Sequence, residues 1–137
     1  MKKIAKKADY TYSVGRRKSA VARVRLFRGK KENLVNGEVI GRYFPGKVMA
    51  LLWQKPFELT KTVGKYYATV KVLGGGKKGQ LEAVVHGIAR ALAKESPEKF
   101  KPLLRKAGLL TRDARVRERR MVGTGGKARK QKQSPKR

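Results

Sequence analysis

Ser19-Ala20-Val21-Ala22-Arg23-Val24-Arg25-Leu26-Phe27 alternates strictly, with Ala20, Ala22, Val24 and Leu26 on one side and Val21, Arg23, Arg25 and Phe27 on the other. A period of two is that of a half-buried strand, whose successive side chains point to opposite faces. The two arginines spaced by two read either as a row of phosphate contacts or as a solvated outer face. Upstream, the strand-like pattern begins at Tyr10, and Arg16-Arg17-Lys18 opens the quoted stretch with a cluster of cations. Although Arg16-Arg17-Lys18-Ser19 has the form of a basophilic kinase site, the cluster is better read as phosphate-binding. Residues 1–9 read as a basic leader.

Downstream, Arg28 to Glu32 is a polar turn, and Asn36-Gly37 between apolar pairs predicts a two-residue hairpin. Phe44-Pro45-Gly46 punctuates the chain. Lys47 to Gln54 predicts a short, mostly buried helix that Pro56 ends. Tyr66 to Leu73 alternates again, with Tyr66, Ala68, Val70 and Val72 on one face, until Gly74-Gly75-Gly76 breaks it. From Gly79, Leu81, Val84, Val85, Ile88 and Leu92 fall at helical spacing, with Glu82, His86 and Arg90 on a polar edge. Ser96-Pro97 predicts the next helix start, Ser as cap and Pro at the first position. Phe100, Leu103, Leu104 and Ala107 make its stripe, and Gly108 stops it.

Charge decides the class of partner. The chain carries 37 Lys and Arg against 9 Asp and Glu, a formal net charge of +28. Residues 111–137 hold eleven of those bases and two acids, net +9, which leaves +19 on residues 1–110. The last seventeen residues hold six bases and no acid, with almost nothing apolar beyond Met121, Val122 and Ala128. Such a segment buries too little surface to offset its ordering entropy, so it orders only against a polyanion. Nucleic acid fits best, because dense phosphates reward dense cations. The 39% hydrophobic content still supports a small core. Residues 1–9 thus form a leader, 10–110 a globular domain and 111–137 an extended basic tail.

Several chemistries are excluded or disfavoured. With no cysteine there is no disulfide, thiolate metal site or Cys nucleophile. His86 is the only histidine, so neither a multi-His metal site nor a catalytic triad has its parts, and no cofactor is expected. The longest apolar run, Val48 to Trp53, is far short of a membrane span. The basic start lacks a signal-peptide apolar stretch, although its composition also fits an organelle transit peptide.

Gly74 to Gly79 satisfies G-x-G-x-x-G between a strand and a helix, yet no acid follows at the end of a second strand, and Gln80-Leu81 replaces the Lys-Ser/Thr of a P-loop. What survives is an anion site built from Gly75, Gly76, Lys77, Lys78 and the helix N-terminus, or else a plain flexible loop. Tyr10, Tyr12, Phe27 and Tyr43 offer base stacking, although such aromatics more often serve core or rim.

The ordered motifs resemble a known family. Gly15-Arg16-Arg17-Lys18-Ser19-Ala20-Val21-Ala22-Arg23-Val24-Arg25 is similar to the opening signature of the small-subunit ribosomal protein S9 (uS9) family, bacterial type. Val35-Asn36-Gly37, Tyr43-Phe44-Pro45, Pro56-Phe57-Glu58-Leu59-Thr60, Gly74-Gly75-Gly76 and Gly79-Gln80 follow in the expected order. So do His86-Gly87-Ile88-Ala89-Arg90-Ala91-Leu92 and Lys106-Ala107-Gly108-Leu109-Leu110-Thr111-Arg112-Asp113. The resemblance implies an α+β domain of the ribosomal protein S5 domain 2-like fold, a mixed sheet packed by helices. It implies a structural, non-enzymatic place in the small-subunit head of a cytoplasmic ribosome, on the 3′ major domain of 16S-type rRNA. Neighbouring proteins S7, S10 and S14 come with that place, without membrane association or a homo-oligomer. The tail would run through rRNA toward the P-site tRNA, supporting translation.

On this reading Arg16, Arg17, Lys18, Arg23, Arg25, Lys77, Lys78, Arg90, Arg112, Arg115, Arg119 and Arg120 contact rRNA, with the Gly75-Gly76 backbone. Lys127, Arg129, Lys130 and Lys132 extend the contact, and Lys136 and Arg137 reach tRNA. The ending Lys132-Gln133-Ser134-Pro135-Lys136-Arg137 lacks the aromatic that the family often carries there, and Ala114 stands where many members have Pro. The rival class is a general polyanion-compacting protein, which would share the charge and the tail but not the ordered motifs.

Overall fold

The computed structural model describes residues 10–126. The quoted alternation forms β2 (Ala20–Arg28), which pairs antiparallel with β1 (Tyr10–Arg17) across the tight Lys18-Ser19 turn. On its other side β2 pairs antiparallel with β5 (Tyr66–Leu73). The short β3 (Leu34–Val35) runs parallel to β5, and β4 (Glu38–Val39) closes the edge as the antiparallel partner of β3. The order β1-β2-β5-β3-β4 makes one mixed five-stranded sheet.

The Asn36-Gly37 hairpin forms as expected, with positive φ at both central residues (50° and 84°), the requirement of a type I′ turn. Asn36 does more than turn the chain. Its side-chain amide donates to the Val72 carbonyl at 3.1 Å and accepts from the Val72 N–H at 2.9 Å, continuing the ladder beyond the two-residue β3.

Helices cover one face only. α3 (Lys77–Glu95) lies across β1 and β2, and α2 (Lys47–Leu59) and α4 (Pro97–Lys106) pack against α3. The buried face of β2 (Ala20, Ala22, Val24, Leu26) and that of β5 (Ala68, Val70, Val72) meet Leu81, Val84, Ile88 and Leu92 of α3. β1 and α3 approach closely because both are glycine where they meet. A Cβ on Gly15 would lie inside the contact distance of the Ala83 carbonyl and 2.8 Å from the Gly87 Cα, and one on Gly87 would lie 2.6 Å from Val24 Cγ2.

Four helical expectations need correction. Pro56 does not end α2, which continues to Leu59. Proline obstructs the turn before it, not the turn after it, and burial of Pro56 and Phe57 in the core offsets the missing N–H. Nor is α2 mostly buried, since Val48, Leu51 and Leu52 are exposed. α3 starts at Lys77, ahead of Gly79, with Gly76 at the cap. Pro97 does open α4, but the Ser96 side chain makes no capping hydrogen bond.

Candidate nucleic-acid interface

Because α3 occupies one face of the sheet, the other is left open, and the strand register decides what it displays. Across β1, β2 and β5 the rows read Arg16–Val21–Leu73, Val14–Arg23–Lys71, Tyr12–Arg25–Thr69 and Tyr10–Phe27–Tyr67. Arg16, Arg23, Arg25 and Lys71 are exposed. Arg23 directly opposes Lys71, a like-charged pair that repels itself and favours an anion above it. The aromatics gather at one end. Phe27 and Tyr67 stack at 5.2 Å between centroids with planes 12° apart, and Tyr10 tilts against Phe27 at 5.5 Å. The Arg25 guanidinium lies 5.2 Å from the Tyr10 ring, and the Lys31 ammonium 5.7 Å from that of Tyr67. Between rows runs a shallow groove of about 310 Å³, bordered by Tyr12, Arg23, Arg25 and Lys71.

Lys71, Tyr67 and Lys31 were absent from the sequence-derived set. The alternation that puts Ala68, Val70 and Val72 inside necessarily puts Tyr67, Thr69 and Lys71 outside, so the signal for the first two was present. Arg16 and Arg17, adjacent in sequence, must point to opposite faces. Arg16 joins the open face, and Arg17 turns toward α3.

There the Arg17 Nε donates to Glu82 Oε2 at 2.5 Å and Nη1 donates to the Arg115 carbonyl at 2.7 Å. Its Nη2 lies 3.5 Å from Asp113 Oδ2. Arg115 itself grips Asp113 through two nitrogens, at 2.9 and 2.7 Å. This pairing, with Arg17 adding to it, holds the Asp113 carboxyl well below the usual carboxylate range. Arg90 is exposed and donates to the Val14 carbonyl at 2.6 Å, bracing β1. Arg112, Arg119 and Arg120 are exposed, as is Lys18 at the β1–β2 turn, where its φ is 53°.

The glycine loop is shaped by its own chain. Gly74 has a φ of 80°, and a Cβ there would lie 2.5 Å from the Ser19 carbonyl, so it packs against the β1–β2 turn. Gly75 rests on Ala20 in the same way, while Gly76 has open space around it. The Lys77 ammonium sits 3.4 Å from the centroid of Tyr43 and donates to the Tyr43 carbonyl at 3.2 Å, and Lys78 points to solvent. Tyr43 is thereby a rim residue, its hydroxyl donating to Gln80 Oε1 at 2.7 Å.

His86, expected on a polar helix edge, is instead buried, its Nε2 3.2 Å from the Leu110 carbonyl. The segment after α4 folds back over it and covers the ring. Burial, opposed by the Leu110 hydrogen bond and assisted by Arg90 and Arg112, lowers its pKa below 6.5. Between the folded and unfolded values the unfolded chain binds more protons, so stability is fully present above about pH 6.5 and is lost as pH falls through the folded pKa. Urea unfolding between about pH 8 and pH 5 should show this fall, and His86→Gln should lack that component. Matching slopes in both proteins would contradict it.

Among the described residues no group of three or more His, Asp or Glu could hold a metal, and no helix is long and apolar enough to cross a membrane. Lys127, Arg129, Lys130, Lys132, Lys136 and Arg137, like the leader 1–9, lie outside the described residues.

An open basic sheet face is a feature of polyanion-binding proteins, and comparison with known proteins sharpens this to one class, the ribosomal proteins. Residues 15–137 match the family model described as Ribosomal protein S9/S16. A small ribosomal subunit protein uS9 from Maridesulfovibrio salexigens is 49% identical over 118 residues, covering 86% of this chain and 90% of that protein. Proteins of the same name from Rickettsia africae and Rickettsia rickettsii are 48% identical over 126 residues, covering 92% of this chain and 78% of each relative. The chain belongs to the ribosomal protein S9 family.

Proposed function

We propose that this protein is a structural constituent of the small ribosomal subunit, acting in translation without catalysis and located in the cytoplasmic ribosome. Family membership supports the coarse assignment. The observation that carries the contact surface is the helix-free sheet face, where Arg16, Arg23, Arg25 and Lys71 stand beside the Phe27–Tyr67 stack. Cations spaced along strands suit a phosphate backbone, and stacked rings suit unpaired bases.

The finer reading is that residues 10–110 form an S5 domain 2-like rRNA-binding domain on the 3′ major domain of 16S-type rRNA, beside S7, S10 and S14. Lys18, Gly75, Gly76, Lys77, Lys78 and Arg90 border the RNA at the sheet rim. Arg112, Arg115, Arg119 and Arg120 carry the contact outward, and Lys127, Arg129, Lys130 and Lys132 extend it. Lys136 and Arg137 then reach the P-site tRNA as charge-assisted donors, each contributing about 1.5–3 kcal/mol before ordering costs.

Crosslinking of the intact protein in growing cells, followed by sequencing of the bound nucleic acid, tests this. Reads concentrated in the 3′ third of small-subunit rRNA support it, and reads scattered over DNA would favour a general polyanion compactor. Deleting Ser134 to Arg137 should leave subunit assembly intact while speeding P-site tRNA dissociation roughly tenfold. Unchanged dissociation would remove the tRNA contact from the proposal.

A further inference from the structure

We infer that Arg17 is a positioning residue, a clamp that sets the direction in which the basic tail leaves the domain, and not an RNA ligand. Its side chain is 12% exposed, and each of its three guanidinium nitrogens faces a partner within the chain: Glu82 on α3, and Asp113 and the Arg115 carbonyl beyond α4. With Nε and Nη1 each donating within the chain, Nη2 facing a carboxylate and the side chain largely buried, little of the fork is left to a phosphate.

The clamp has a second, buried point. His86 meets the Leu110 carbonyl, and Leu109 and Leu110 pack against the core. Between Leu110 and Arg115 the chain is therefore held by β1 through Arg17 and by α3 through His86. Neither contact belongs to a helix or strand of the tail itself, since among the described residues no helix or strand follows Lys106.

Electrostatics explain why a clamp is needed. Residues 111–137 carry net +9 and leave a segment carrying net +19. Like charge on both sides drives the tail away from the domain without choosing a direction. One of the tail's two acids, Asp113, is spent on Arg17 and Arg115 near the root, where it supplies a directional attachment. Largely shielded from solvent, the Arg17 guanidinium is screened less than a surface ion pair.

The clamp predicts opposite behaviour for two adjacent arginines. The chain has no cysteine, so cysteines introduced at exposed Lys55 and Val122 would be unique sites for a pair of spin labels. In the free full-length protein, Arg17→Gln should broaden the label-to-label distance distribution at least about twofold, and Arg16→Gln should leave it unchanged. In rRNA binding, Arg16→Gln should reduce the slope of log affinity against log salt by about one, and Arg17→Gln should leave it unchanged. A narrow distribution in Arg17→Gln, or a slope reduced by about one, overturns the inference. Should Arg17→Gln fail to fold, Asp113→Asn cuts the clamp from the tail side without touching the sheet. It should broaden the distances equally, and narrow distances there also overturn the inference. The salt arm rests on the rRNA reading proposed above, whereas the distance arm needs no RNA. Loss of rRNA binding by the unmodified protein would therefore count against that reading, and the distances would still decide the clamp.

Discussion

Gly15→Ala is expected to destabilise the domain by about 4 kcal/mol or more, enough to unfold a marginally stable protein of this size. The cause is steric and local. The new methyl would enter the space of the Ala83 carbonyl and the Gly87 backbone, and a helix backbone cannot swing aside as a side chain can. β1 or α3 would have to retreat, opening the core around Val24 and Val84 and breaking the Arg90–Val14 hydrogen bond. The fold's charge makes the loss harder to absorb, because self-repulsion already opposes compaction. Gly41→Ala is the matched control, since nothing lies within 4 Å of its Cβ position and it sits in a helical turn, α1 (Ile40–Tyr43). Thermal unfolding of both variants checks this. A Gly15→Ala protein within about 1 kcal/mol of the unmodified one would mean that β1 and α3 do not approach this closely.

Reversing charge on the open sheet face should give the opposite pattern, intact stability with lost RNA binding. Arg23→Glu with Arg25→Glu removes two exposed cations that form no ion pair among the described residues, although Arg25 gives up its contact with Tyr10. Glu at position 23 would oppose Lys71 and turn a repulsive cross-strand pair into an attractive one, so the melting temperature should hold or rise slightly. If both arginines neutralise phosphates, the salt slope should fall by about two, and affinity near physiological salt should drop at least about a hundredfold. The measurement is rRNA binding across a salt series, alongside thermal unfolding. Affinity and slope that both stay in place would make this face a solvated outer surface, the other reading that the alternation of Ser19 to Phe27 left open.

That stretch shows how far sequence reading goes. β2 and β5 were legible to the residue in their buried faces, because a period of two leaves little freedom about which side chains share a side. The hairpin at Asn36-Gly37 was legible for a similar reason, since only residues tolerant of positive φ suit both central positions. Helix ends were less so. Pro56 reads as a stop on local grounds, and only its burial beside Phe57 shows why the helix outlasts it. His86 sits at the spacing of a polar edge, but a segment 24 residues further along the chain covers it.

The sequence by itself determined the class of partner, the strands and their inner faces, the hairpin and the membership of a family. These follow from composition, from short-range periodicity and from ordered motifs, which need no knowledge of where the chain goes next. Only the tertiary structure decided which face of the sheet stays open and why Gly15 and Gly87 must be glycine. It alone also separated Arg16 from Arg17 in surroundings, since one faces outward and the other is held by Glu82 and Asp113, residues 65 and 96 positions away. Local pattern says that two neighbours on a strand point apart. What each of them meets is set by packing between elements distant in sequence, and that packing leaves no periodic trace in the chain.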